Sequence, residues 1–226
     1  MRLAGLVAAG GLGLRLGPGD PKGLRHLAGS SLVVHAVERL AAAGAVTEVV
    51  VAAPTSHYAE VVAAVESCVT PVPVRVVSGG VLRQDSVRSM LEALSPEVSH
   101  VLVHDAARSL APTALCEEVA EALAAGHPAV IPVLPVTDTV ARVDGEYVIG
   151  NVPRDDLRLV QTPQGFVRHL LQRAHDECPP GWEATDDASL VSRLGVAVVT
   201  VPGDPRAMKI TTPEDFVVAE AWLAAT

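Results

Sequence analysis

The stretch LAGLVAAGGLGLRLGPGDPK, residues 3–22, decides how the rest of the chain is read. Leu3 to Ala9 is an apolar run too short for a helix and stopped by glycine, the pattern of a strand buried on both faces. Gly10, Gly11, Gly13, Gly17 and Gly19 follow, and the loop ends at Pro21-Lys22. Glycines let a backbone come close to phosphate oxygens, and successive amides can form an anion-binding nest. Arg15 and Lys22 add the positive charge that stabilises a phosphoryl-transfer transition state. Gly10-x-x-Gly13 is not GxGxxG, and no GKS or GKT end follows, so neither the dinucleotide fingerprint nor the P-loop fits. A glycine-rich turn between a strand and a helix can also be no more than a tight connection; Arg15 and the Pro21-Lys22 end favour a polyphosphate.

Outward from this stretch, strands and helices alternate. Ser31 to Ala43 carries apolar residues at helical spacing, and Glu48 to Ala53 is a β-branched run stopped by Pro54. Ser56 is placed to cap a helix running to about Glu66. Val74–Val77 reads as a strand, Asp85–Leu94 as a helix, His100–His104 as a strand and Pro112–Ala125 as a helix closed by Gly126. Ala129–Val133 is a fifth strand. Further on come helices over Val167–His175 and, capped by Thr185, over Asp186–Leu194, then a strand over Val196–Val201. The last helix is opened by Thr212-Pro213-Glu214-Asp215, a cap residue, a first-turn proline and two acids. The alternation predicts one α/β domain over residues 1–226, with a Rossmann-like, mostly parallel sheet covered by helices on both faces. Ligands of such sheets bind beyond the carboxyl ends of the strands, here the loops after Ala9, Val77 and His104.

Leu134 to Leu159 breaks the rhythm. It holds an Asp144-Gly145 turn between TVARV and EYVIG, a hairpin signature whose apolar positions need cover. An arm packed on a second subunit and a hairpin folded back on its own domain both satisfy it.

Composition narrows the partners. The chain has 226 residues, 49% of them hydrophobic but only 3% aromatic, so Val, Leu and Ala must fill the core. A net charge of −9 argues against nucleic acid, which needs a basic face. An acidic protein that binds polyphosphate has to gather its few basic residues at one site. Cys68, Cys116 and Cys178 show no CxxC spacing and read as reduced thiols. No apolar run is long enough to span a membrane. The opening MRLAGLVAAGG has an arginine ahead of a short apolar stretch, faintly like a secretory leader, but it runs straight into the motif-bearing loop. A cytoplasmic protein is expected.

Several later segments fit one pattern in order: Gly79-Gly80-Val81-Leu82-Arg83-Gln84-Asp85-Ser86-Val87, Val103-His104-Asp105-Ala106-Ala107-Arg108, Pro135-Val136-Thr137-Asp138-Thr139, Gln161-Thr162-Pro163-Gln164, Thr185-Asp186-Asp187-Ala188-Ser189 and Lys209-Ile210-Thr211. Together with the first loop, whose Gly11, Gly13, Arg15 and Lys22 match an AAGxGxRxG…PK signature, they resemble the cytidylyltransferases of the non-mevalonate isoprenoid pathway. In that register Gly10 stands where the family usually has alanine. The resemblance covers nearly the whole chain. It implies transfer of a cytidylyl group from CTP to a methylerythritol phosphate, with Mg2+, in a homodimer formed through the arm.

The residues themselves admit more than one reading. Asp105 ends a strand at the ligand edge, where a carboxylate can hold Mg2+ or merely cap a turn. Arg108 could cap a helix or bind phosphate. Ser86, beside Asp85 at a helix start, could cap or touch the nucleotide. Lys209 sits among Met208, Ile210 and Thr211, an apolar setting in which a phosphate would supply the partner a lysine needs. His104 should face away from Asp105, since strand side chains alternate, and is read as structural. The resemblance implies roles for Arg15, Lys22 and Lys209 at the triphosphate. It places Ala9, Gly10, Gly11, Gly13, Gly80, Val81, Ser86, Asp105 and Ala106 around the nucleotide. Thr139, Arg154, Thr162, Thr185 and Arg108 would then bind the acceptor, with Thr139 and Arg154 offered by the neighbouring subunit. Val81 departs from the pattern, standing where relatives often carry a polar residue facing cytosine. A cytidylyltransferase for another polyol phosphate, such as ribitol 5-phosphate, shares the loop and HDAAR-type segments, and a non-catalytic nucleotide-binding module shares the fold.

Overall fold

The computed structural model describes residues 1–11, 13, 16, 17 and 19–225. Its centre is the strand expected from the opening stretch, β1 (Leu3–Ala8), which pairs in parallel with β4 (Val46–Ala53) on one side and β6 (His100–Asp105) on the other. Between β1 and β4 come a two-residue hairpin, β2 (His26–Leu27) and β3 (Ser30–Ser31), and α1 (Leu32–Ala41). Then follow α2 (Tyr58–Glu66), β5 (Val74–Ser78), α3 (Arg83–Glu92), β6, α4 (Thr113–Ala124) and β7 (Ala129–Pro135). The hairpin β8 (Val140–Asp144) and β9 (Tyr147–Val152) precedes β10 (Arg158–Val160), β11 (Gln164–Val167), α5 (Arg168–Asp176), α6 (Asp187–Arg193), β12 (Val199–Pro202) and α7 (Pro213–Ala224).

The main sheet runs β10-β7-β11-β6-β1-β4-β5, with β12 parallel to β7. It is mostly parallel, as expected. The exceptions are β10 and β11, which the sequence reading did not find. Both are three- or four-residue strands next to Pro163 and carry no alternation long enough to detect. β11 lies antiparallel between β6 and β7 and puts Phe166, fully buried, into the core.

Side chains of β1 alternate between two apolar layers. Leu3 and Val7 meet Val33, Val37 and Leu40 of α1 and Val119 and Leu123 of α4, whereas Ala4 and Leu6 meet Val87, Met90 and Leu91 of α3, Leu171 of α5 and Leu190 of α6. A β-carbon on Gly5 would stand 2.6 Å from Leu40 Cδ2, so glycine there lets α1 lie close on the sheet. Two cap expectations fail. Ser56 sits in a single helical turn, Thr55–His57, with its hydroxyl on His57 Nδ1, and α2 begins after it. The cap of α6 is Asp186, whose Oδ1 accepts the Ser189 amide at 2.9 Å, while Thr185 is exposed. The closing helix is capped as read, with Thr212 and Asp215 bonded reciprocally and Pro213 first.

Along the sheet, the chain moves outward from β1 through β4 to β5 and then returns to β6 on the other side. The crevice at that reversal opens at the carboxyl ends of β1 and β6.

Candidate active site

A cavity of about 560 Å³ fills this crevice. Its walls come from three places far apart in sequence. The first is the glycine loop, which folds back so that the Lys22 amide donates to the Gly11 carbonyl at 3.1 Å, bringing the lysine to the loop's own mouth. Gly13 has φ +69° and its missing β-carbon would lie 3.0 Å from Lys22 Cβ; both conditions call for glycine. Arg15 lies outside the described residues.

The second wall is the loop between β5 and α3. The Gly79 amide donates to Ala53 O at 2.7 Å, and the Gly80 amide to Ser86 Oγ at 3.1 Å. Asp85 Oδ2 accepts the Leu82 amide at 3.1 Å, opening α3 two residues before the expected Asp85 start. Asp85 therefore caps, and the Ser86 hydroxyl shapes the glycine turn. Val81 is 99% exposed at the rim, so its side chain packs on none of the described residues.

The third wall joins the end of β6 to residues 209–211. Asp105 is buried with both carboxylate oxygens engaged: Arg83 Nε donates to Oδ1 at 2.9 Å and Lys209 Nζ to Oδ2 at 2.7 Å. Burial pushes the Asp105 carboxyl upward, but these two cations outweigh it and hold the group well below the ordinary carboxylate range. The expected apolar setting of Lys209 is not what forms. Its side chain is 43% exposed and its partner is Asp105.

Behind Asp105, its amide donates to Thr162 Oγ1 at 3.1 Å, and that hydroxyl lies 3.0 Å from His104 Nδ1. The Thr162 hydroxyl thus bridges the amide at the strand end and the imidazole ring. Burial lowers the His104 pKa to about 4, so the ring is neutral at pH 7. The structural reading of His104 holds, and Thr162 is buried behind the strand end instead of lining the cavity.

Of the expected residues, Ala9, Gly10, Gly11, Gly13, Lys22, Gly80, Val81, Ser86, Asp105, Ala106 and Lys209 all line the one cavity. Arg108 does not; its guanidinium donates to Ala207 O at 2.7 Å and Val160 O at 3.1 Å, tying β10 and the turn before Lys209 to the end of β6. Thr139 and Arg154 are exposed on the arm, away from the cavity of their own chain, and Arg154 bonds the Thr137 carbonyl. Arg83 was missed. The sequence showed it inside the Gly79–Val87 segment, but nothing local reveals a partner 22 residues away.

Among the described residues, no cluster of three or more His, Cys, Asp or Glu side chains could hold a metal alone. Asp105 is the one carboxylate among the described lining residues. One carboxylate with spare lone pairs fits a magnesium ion whose other ligands are phosphates and water, and does not fit an all-protein cage. No helix of the described residues is long and apolar enough to cross a membrane.

A doubly wound sheet, a glycine loop with lysine at the switch point and a second lysine paired with a carboxylate, with no nucleophile–base pair among the described lining residues, define a nucleotidyltransferase. The profile of the 2-C-methyl-D-erythritol 4-phosphate cytidylyltransferase family matches residues 3–225, and the chain belongs to that family. The cytidylyltransferase of Frankia casuarinae is 50% identical over 224 residues, covering 99% of this chain and 82% of the relative. That of Streptomyces coelicolor is 47% identical, covering 99% of this chain and 85% of the relative. Among solved structures, the enzyme of Thermus thermophilus superposes with a TM-score of 0.78 at 39% identity, covering 98% of each chain.

Proposed function

We propose that the cavity binds CTP and that the protein transfers its cytidylyl group to 2-C-methyl-D-erythritol 4-phosphate. A phosphate oxygen of the acceptor attacks the α-phosphorus in line; the new P–O bond forms as the α–β bridge breaks, and pyrophosphate leaves. The attacking oxygen is already anionic, so no general base is needed. Catalysis is then positioning and charge neutralisation. Lys22, the first-loop amides and Arg15 neutralise the triphosphate. Lys209 exchanges part of its bond to Asp105 for phosphate. Asp105 is the residue that would hold a divalent cation, which would supply further charge neutralisation at the phosphates. With Val81 pointing into solvent, cytosine is read by the backbone of the 79–82 turn. The acceptor lies towards Arg108, Thr162 and Thr185 and is completed by Thr139 and Arg154 from the arm of a second copy, whose exposed Val143, Tyr147, Val148 and Ile149 would be covered in a homodimer. The whole is one domain with the arm at about 134–159 inserted in it, acting in the cytoplasm.

The observation that carries this reading is the convergence of Lys22, Asp105 and Lys209 on one glycine-lined cavity. Pyrophosphate release with CTP, Mg2+ and 2-C-methyl-D-erythritol 4-phosphate tests it, with UTP, ATP and GTP as alternative donors and ribitol 5-phosphate as alternative acceptor. Turnover that needs this donor, this acceptor and the metal is expected. Preference for another triphosphate or for ribitol 5-phosphate would replace the specific reaction, and no release would leave a binding module.

A further inference from the structure

Arg83 has a second ionic partner on the side away from the cavity. Its Nη1 donates to Asp187 Oδ2 at 2.7 Å, and Asp187 is wholly buried at the start of α6. An aspartate at that point would ordinarily cap the helix, but Asp186 already does so. Asp187 is therefore not needed as the cap, and burying an ionised carboxylate is costly unless it is paired. On its other side Asp187 Oδ1 lies 3.6 Å from His175 Nε2, beyond hydrogen-bond distance, and both atoms are buried with no hydrogen-bond partner among the described residues. His175 is fixed at the end of α5, where its carbonyl accepts Arg88 Nη2 at 2.7 Å.

We infer that Asp187, backed by His175, is a positioning residue for the reaction: it grips one edge of the Arg83 guanidinium so that the other edge fixes Asp105 and, through it, Lys209. The guanidinium is a rigid planar fork, so holding Nη1 aims Nε. The string Lys209–Asp105–Arg83–Asp187 alternates in charge and links the cavity to α6. Arg83 itself lines the cavity, and without Asp187 it would be drawn towards the triphosphate, leaving Asp105 poorly oriented. This inference rests on the functional reading above.

The test compares wild type, Asp187→Asn, Arg83→Lys and the double variant, each checked for folding by circular dichroism. Asp187→Asn should lower kcat about ten-fold with KM for CTP changed less than about three-fold. In the Arg83→Lys background, where an ammonium cannot hold both carboxylates in the same geometry, the same substitution should lower kcat less than about two-fold. Equal losses in both backgrounds, or full kcat in Asp187→Asn, would overturn the inference. If Asp187→Asn does not fold, His175→Gln takes its place, with a kcat loss of about three-fold expected and again absent beside Arg83→Lys. Side-chain NMR gives a readout independent of turnover. The Arg83 guanidinium N–H signals should be separate in wild type and averaged in the Asp187 or His175 variant, and unchanged signals would refute the grip. A wild type that releases no pyrophosphate would overturn the functional reading alone, since the NMR comparison still reports on Arg83.

Discussion

His104 lets the anchoring of the catalytic strand be tested by pH. Its ring is buried next to the strand end, with Nδ1 3.0 Å from Thr162 Oγ1, and its pKa falls from the ordinary value of 6.5 to about 4 through burial. The unfolded chain therefore binds a proton at this position between about pH 6.5 and pH 4 that the folded chain refuses. Because the folded pKa is the lower one, the stability is fully present above pH 6.5, is lost as the pH falls towards 4, and does not fall further on this account below that. Integrating the linkage from pH 7.5 to pH 5.0 gives a loss of about 2 kcal/mol from this one group. His104→Asn keeps a hydrogen-bonding group near the place of Nδ1 but does not titrate. The packing cost of the shorter side chain is common to both pH values and cancels. Carboxylates titrating in the same range also cancel between the two proteins. Urea unfolding of both at pH 7.5 and 5.0 should show wild type losing about 2 kcal/mol more than the variant. Equal pH slopes, or an NMR titration placing the His104 pKa at 6 or above, would refute the argument that the ring is buried neutral behind Asp105.

Other expectations concern the cavity and the arm. Lys22→Ala should lower kcat far more than it raises KM for CTP, by about 3 kcal/mol of barrier, and near wild-type turnover in a pyrophosphate assay would remove Lys22 from the chemistry. At Gly80 a β-carbon would fall 2.2 Å from Asp85 Cβ, so Gly80→Ala must shift the turn that walls the cavity. A melting-temperature drop equivalent to about 1–3 kcal/mol and weaker CTP binding by calorimetry are expected. Arg154→Ala should raise KM for the acceptor while sparing CTP affinity. If the arm serves a neighbouring site, mixing the Lys22→Ala and Arg154→Ala proteins after dissociation should regain turnover that neither shows alone; no recovery would place Arg154 on its own chain's site.

The sequence by itself determined the strand-and-helix alternation, the parallel class of the sheet and the loop that bears Lys22. These depend on local chemistry: short β-branched runs, caps such as Thr212 with Asp215, and glycines where side chains cannot fit. Motif order along the chain was enough to identify the family. What the local pattern could not supply was anything depending on which elements become neighbours. β11 is a four-residue strand whose place between β6 and β7 is set by packing of Phe166, not by its own periodicity. Lys209 looked like a lysine waiting for phosphate, yet its ammonium reaches Asp105, 104 residues earlier. Arg83 stood in plain view in a motif, and only folding brought Asp105 and Asp187 to opposite edges of its guanidinium. Such pairings are decided by the tertiary arrangement because Coulomb attraction acts across space and is strong where burial excludes water. Order along the chain carries no record of that distance.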